Sequence, residues 1–441
     1  MFVLSSSIDP GDMNRMDDPR RSDAGPGVST PPVPADSRPA AAALALVEQR
    51  RQERETARRR RRRRRILGVL AFLALAVLPA SLYSYVSWLL RPSSVPLDVN
   101  SVEWVRHQVP FGNWIMDQVE HTYYSANAPK KGGPGLKRLP SVGASGVAAI
   151  ARAEAQAGPP RIQPVFPNPL SGEGVWKPIG PQVNGGPPVL LTTFRTELAY
   201  PSIVAYVAWF DHTRTDVGYY PGRYEPPNAA VRGPMMVPNS QRSRLLATFN
   251  GGFTATDGNN GSTDNGQVNE PLTDGNATLV GYTDGRIDIA KWSGGPNAGP
   301  DVAWARQSLK PIVWNGQLNP DLNDNPDSPQ WGYSLGSVVR VWRTGVGVDR
   351  HGNLFYVVAN DQTVITLAKI LQHIGAVKAM EFDINPEWHT LITYSHGPNG
   401  LVPKLVEPQP QQSAHRYLEP DDRDFFAVYT HAPGPVTVPF K

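Results

Sequence analysis

The 441-residue sequence contains no cysteine. That excludes disulfide scaffolds, thiolate zinc sites, iron–sulfur clusters and a cysteine nucleophile. It also lacks a two-histidine metal spacing, a G-x-S-x-G nucleophile elbow and a phosphate-binding P-loop. No internal repeat is present. Charge is unevenly supplied. Residues 1–65 hold 15 Lys/Arg against 9 Asp/Glu, residues 66–90 hold none, and the net +4 therefore leaves residues 91–441 at −2. A nucleic-acid-binding body is itself basic, so no nucleic-acid partner is expected.

Proline and glycine are abundant, at 45 and 40 residues, so long stretches must be loop or linker. Residues 1–49 are Pro, Ala, Ser, Asp and Arg with almost no aromatics, too little apolar surface to fold. An Arg-dense block follows: Arg50, Arg51, Arg54 and the run Arg58–Arg65. Residues 1–65 thus read as a disordered tail. Ile66–Leu90 is 25 residues without a charge, about 37 Å as a helix against a ~30 Å hydrocarbon core. Tyr83, Tyr85 and Trp88 at its far end suit an aromatic belt, and flanking arginines stay on the cytoplasmic side. These features predict a single-pass transmembrane helix at 66–90, a cytoplasmic N-terminus and an extracytoplasmic remainder. Residues 91–170 read as a juxtamembrane amphipathic segment, containing Trp104, Trp114 and Val119, followed by a Pro/Gly-rich linker.

Residues 171–432 read as one α+β domain with a mixed β-sheet and packed helices, and 433–441 as a C-terminal tail. Asp284-Gly285, Asn315-Gly316 and Asp349-Arg350-His351-Gly352 each lie between apolar runs and predict tight hairpins, because Asn-Gly and Asp-Gly supply positive φ. Val364, Leu367, Ala368, Leu371 and Ile374 fall at helical spacing, with Thr363 to cap the start and Gly375 to end it. Val377–Ile384 reads as a strand that sends Glu381 and Asp383 to one face.

Three constellations are equipped for chemistry. Asn250-Gly251-Gly252-Phe253 follows an apolar run, so bare backbone amides can approach an anion while Asn250 orients an oxygen. A glycine-rich turn explains the same residues. Glu381 and Asp383 sit roughly 6.6 Å apart along a strand, near the separation at which two carboxylates divide acid and base work on a glycosidic bond; two solvated acids fit equally. Asn385, Glu387 and His389 crowd the end of that strand. In Arg343-Thr344-Gly345-Val346-Gly347, Arg343 can hold a phosphate bidentately, or form an ion pair while the glycines allow close strand packing. No cofactor is called for, and the sequence leaves any metal open.

The order of the segments LLATFNGGF, LVGYTDGRIDIA, SLKPIVWNGQ, RTGVGVDRHGNLFYVVA, TVITLAKILQHIGA and VKAMEFDIN resembles the phosphodiester glycosidase family over about residues 171–432. Asn250–Phe253 match its N-G-G-F segment, Arg343, Thr344 and Gly347 its R-T-x-x-G segment, and Asp383 the Asp of its D-G-G-G-S segment. Ile384, Asn385 and Pro386 stand here where that last segment has glycines, with Trp388 or His389 near its Ser. The resemblance implies a hydrolase that splits a sugar–phosphate diester. Arg343, Thr344, His389 and the Asn250–Gly252 amides would hold substrate, and Asp383 with Glu381 or Glu387 would do acid–base work. A non-catalytic relative that binds or organises an anionic cell-envelope glycan stays open beside it.

Overall fold

The computed structural model describes residues 38–432, apart from 92–94, 143–157, 231, 335–336, 399, 408 and 410–411. The expected tail at 433–441, most of the disordered tail and part of the linker lie outside these residues. The chain divides into two units, Met1–Pro79 and Ala80–Lys441. A 52-residue helix, α1 (Arg38–Leu89), begins in the first, so Arg38–Arg65 is helical rather than unstructured.

The transmembrane expectation is corrected. No helix among the described residues is long and apolar enough to cross a membrane. The single-pass anchor at 66–90, the membrane as partner and the inside–outside topology built on it fall together. Two features explain the misreading. The uncharged run is the C-terminal part of one helix continuous with the arginines. Its terminal aromatics are also taken up by protein contacts instead of headgroups. The Tyr85 hydroxyl lies 2.8 Å from Ser101 Oγ, and its ring meets Trp104 edge-on at 5.0 Å. Trp88 stacks on His107 and on Tyr224. These partners include the first of two short helices, α2 (Leu97–Gln108) and α3 (Gly112–Asn127), joined to each other by an Arg106–Glu120 ion pair.

The strands run β1 Lys177–Ile179, β2 Val189–Arg195, β3 Val204–Phe210, β4 Thr215–Tyr220, β5 Leu245–Asn250 and β6 Ser262–Asp264. They continue as β7 Gln267–Glu270, β8 Ala277–Tyr282, β9 Ile287–Lys291, β10 Val302–Gln307, β11 Pro311–Trp314 and β12 Gln317–Leu318. The last six are β13 Val341–Val348, β14 Leu354–Gln362, β15 Lys378–Glu381, β16 Leu391–Gly397, β17 Gly400–Leu405 and β18 Phe425–Thr430, with helix α4 (Val364–His373) between β14 and β15. Three sheets result, in the orders β1-β2-β3-β14-β13-β15-β11-β12, β7-β6-β10-β8-β9 and β17-β16-β5-β18-β4.

The three expected hairpins form as β8–β9, β11–β12 and β13–β14. Gly285, Asn315 and Gly316 have the positive φ their sequences supply, at 88°, 52° and 75°. Every described ladder is antiparallel, although a mixed sheet was expected. β14, α4 and β15 do make a crossover, but β13 lies between the two strands and runs against both.

The large sheet is apolar on both faces. One face packs against the two smaller sheets, with Phe249, Leu279, Tyr356, Phe382 and Phe426 in one core cluster. The other face receives α4, whose Val364, Leu367, Leu371 and following Ile374 are buried as the helical spacing requires. Thr363 caps α4 by accepting a hydrogen bond from Thr366 N. Gly345 and Gly347 lie beneath the helix. A Cβ on Gly347 would stand 2.6 Å from that of Ala376 and 3.2 Å from Leu371 Cδ2, so these glycines serve close helix–strand approach.

Candidate functional site

The Asn250 segment, Thr344 and Asp383 meet where β5, β13 and the end of β15 come together. Asn250 is the last residue of β5, buried at 2% exposure, and both atoms of its amide are occupied. Its Oδ1 accepts from the Tyr356 hydroxyl at 2.5 Å and from Thr390 N at 3.1 Å. Its Nδ2 donates to Gly251 O at 2.8 Å and to Thr344 Oγ1 at 3.2 Å. Asn250 thus ties two sheets together. Thr344 continues the chain of contacts: its backbone N donates to Asp383 O at 2.8 Å, and its hydroxyl accepts from Asp383 N at 3.0 Å.

The two glycines are required by close approach. A Cβ on Gly251 would stand 2.5 Å from the Asp424 carboxylate, and one on Gly252 2.8 Å from Ser308 Oγ. Gly251 N already donates to Asp424 O. Behind them lies an ion network that sequence reasoning missed. Arg306, fully buried on β10, donates to Asp424 Oδ2 at 2.6 Å, Phe253 O at 2.8 Å and Glu225 Oε1 at 3.3 Å. Burial pushes the Glu225 carboxyl up to about 7, against the pull of Arg306.

Arg423 was missed as well, and it carries the contact of most chemical interest. Its Nη2 donates to Asp383 Oδ2 at 3.1 Å and to Gly252 O at 3.2 Å, while its buried Nε has no hydrogen-bond partner. Asp383 is 4% exposed, and its Oδ1 accepts from Asn385 N at 2.9 Å. Burial raises its carboxyl above the ordinary Asp value, and Arg423 opposes that shift. The carboxyl, guanidinium and carbonyl form a compact polar cluster in which the buried Nε donor is unused.

The remaining sequence candidates take other partners. Arg343 donates to Glu381 Oε1 at 2.5 Å, to Gln362 O at 2.9 Å and to Ser334 Oγ at 3.3 Å. Its Nε, Nη1 and Nη2 are all engaged within the protein. Glu381, held above its ordinary value by burial and pulled back by Arg343, is that ion pair's other half. β15 ends at Glu381, so Asp383 leaves the pleat, and the two acids pair with different arginines. His389 Nε2 lies 3.3 Å from Glu407 Oε2, and its ring stacks on Trp342 at 4.3 Å. Glu387 is directed to α2 and α3, where burial and then Glu103 and Glu120 push it up to about 8. Asn250, Thr344 and Asp383 are therefore brought together with Gly251 and Gly252; Arg343–Glu381, Glu387 and His389 form separate groups.

Among the described residues, no cluster of His, Asp and Glu is placed to hold a metal ion. A cavity of about 410 Å³ opens between α4 and β2, lined by Phe194, Thr196, Ile370 and His373, and none of the candidate residues borders it.

These motifs have a family. Residues 228–383 match the phosphodiester glycosidase family. The resemblance read from the order of motifs is therefore shown over this stretch, which contains Asn250–Phe253, Arg343, Thr344 and Asp383. The matched stretch is similar to a phosphodiester glycosidase domain, the domain of a family of hydrolases. No curated protein matches the chain. Among solved structures, it is similar to the zebrafish N-acetylglucosamine-1-phosphodiester α-N-acetylglucosaminidase catalytic domain auto-inhibited by its pro-peptide. Identity is 15%, coverage 58% of this chain and 87% of that one, and the TM-score 0.36. A hypothetical protein from Synechocystis is similar at 12% identity, covering 58% of this chain and 65% of that one, with a TM-score of 0.33.

Proposed function

We propose that this domain hydrolyses a sugar–phosphate diester at the Asp383–Arg423 cluster. The observation that carries the reading is Arg423, which reaches Asp383 and Gly252 O while its buried Nε is without a partner. An unused guanidinium donor beside a carboxyl suits a phosphodiester oxygen, because charge-assisted hydrogen bonds are strong where water is scarce. Asp383, raised by burial, would give a proton to the departing glycosidic oxygen, and Arg423 would stabilise the developing phosphate charge. Thr344 and Asn250 would hold the Asp383 backbone in place. In this reading Arg343 and Glu381 are positioning residues beneath the site.

The alternative, binding or organising an anionic glycan without turnover, draws support from Ile384. It fills the place of a family glycine and packs in an apolar cluster with Phe253 and Leu309. One experiment separates the two. The purified chain is assayed against soluble sugar-1-phosphodiesters, with Asp383→Asn as control. Hydrolysis that Asp383→Asn abolishes while binding persists supports the enzyme. Saturable binding of an anionic glycan with no turnover in either protein supports the binder.

A further inference from the structure

The turn Asn385–Thr390 connects Asp383 to the α2–α3 hairpin. On its inner side, Asn385 N donates to Asp383 Oδ1, and Asn385 Oδ1 in turn accepts from Glu387 N at 2.9 Å. Trp388 stands at the joint. It packs with Val95 and Val99 in one apolar cluster, and the guanidinium groups of Arg416 and Arg423 lie 5.0 and 5.3 Å from its ring centroid. Movement of the hairpin therefore bears on Trp388, and through it on the arginine that pairs with Asp383.

The hairpin contact is short of positive charge. Asp98, Glu103, Arg106 and His107 come from α2, Asp117, Glu120, His121 and Tyr124 from α3, and Asp422, on which Glu103 acts, from the domain. Arg106 serves three acids at once, pairing with Glu120, with Asp117 at 3.7 Å and with Glu103 at 3.9 Å. His107 pairs with Glu103, at 3.4 Å. On the domain side, Arg416 and Gln412 spend their contacts to Glu387 on its backbone oxygen, at 3.4 and 2.9 Å. The buried Oε2 atoms of Glu387 and Glu120, and the Nε of Arg106, have no hydrogen-bond partner. One guanidinium cannot neutralise four neighbouring carboxylates in a partly dry interface.

We propose that the α2–α3 hairpin is a proton-controlled clamp, closed on the Asn385–Thr390 turn while Glu387 is protonated and released when Glu387 ionises. Burial, followed by the charges of Glu103 and Glu120, pushes Glu387 in the closed state up to about 8 from its ordinary 4.5. The sign follows from linkage: the closed state binds the proton more tightly than the open one. Closure is thus strongest below the open-state value and weakens as pH rises through about 8. Each pH unit between the two values favours opening by up to about tenfold.

Hydrogen exchange of the full chain, followed by mass spectrometry from pH 5 to pH 9, tests this. After correction for the intrinsic exchange rate, the opening constant of peptides within 97–127 and 385–390 should climb with pH and level off near about 8. Glu387→Gln should make it nearly independent of pH. Glu103→Gln, a change outside the candidate site, should bring the plateau to lower pH by relieving repulsion on Glu387. Flat exchange in the unmodified protein overturns the proposal. So does an unchanged slope in Glu387→Gln, or, should that variant fail to fold, an unchanged plateau in Glu103→Gln.

Discussion

In the proposed reading Arg343 holds Glu381 while Arg423 meets the ligand, and replacing each by methionine separates the two roles. In Arg343→Met the guanidinium that neutralises Glu381 is lost from a pair whose side chains are 5% and 1% exposed. Breaking a buried pair from one side leaves an uncompensated charge and costs about 3–5 kcal/mol. At about 2–4 °C per kcal/mol for a domain of this size, Tm should fall by roughly 6–20 °C. In Arg423→Met the partner is Asp383, in a pair whose side chains are 17% and 6% exposed, so solvent screens the charge left behind better than it does at Glu381. Stability should therefore suffer less, while ligand binding loses a charge-assisted hydrogen bond of about 1.5–3 kcal/mol. That is roughly 10- to 150-fold in affinity. Thermal unfolding followed by calorimetric titration with a sugar-1-phosphodiester measures both quantities. The reasoning is refuted if Arg343→Met keeps its Tm and loses binding, or if Arg423→Met binds as tightly as the parent.

The parts of the fold legible in the sequence were those specified by neighbours. Asn315-Gly316 and Asp284-Gly285 announce their turns through backbone conformation alone, and Thr363 with its apolar spacing announces α4. The site was only half legible for the same reason. Asn250, Thr344 and Asp383 stand in recognisable segments, but their partner Arg423 lies 40 residues beyond Asp383, and Arg306 lies 118 residues before Asp424. The available signals were the charge run Asp421-Asp422-Arg423-Asp424 directly before β18, and one arginine inside the otherwise uncharged β10. Arg343 was read as able to hold a phosphate, and the structure adds its pairing with Glu381, because a sequence does not show which acid an arginine faces. The run at 66–90 misled similarly: its lack of charge is local, whereas the contacts of Tyr85 and Trp88 with α2 and Tyr224 are tertiary.

Three further outcomes test the packing and charge arguments. Leu371→Ala, at a fully buried position between α4 and the large sheet, should cost about 2–5 kcal/mol in urea unfolding. Gly347→Val should be worse than Gly347→Ala, because the extra methyls meet Ala376 and Leu371 where even a Cβ is too close; equal midpoints for the two would refute the close-approach role. The third concerns pH. Glu225 shares Arg306 with Asp424, and burial pushes it up to about 7 in the folded protein. Its folded value lies above its unfolded one, so the folded state binds that proton more tightly. The associated stability is complete below the ordinary carboxylate range and is lost as pH rises through about 7. Urea midpoints of the parent should accordingly decline between pH 5 and pH 8 in part through Glu225. In Glu225→Gln the side chain carries no titrating proton, so the decline should be shallower by that share. Parallel slopes for the two proteins would mean that Arg306 keeps Glu225 ionised throughout, and the buried network would then contain a full ion triad.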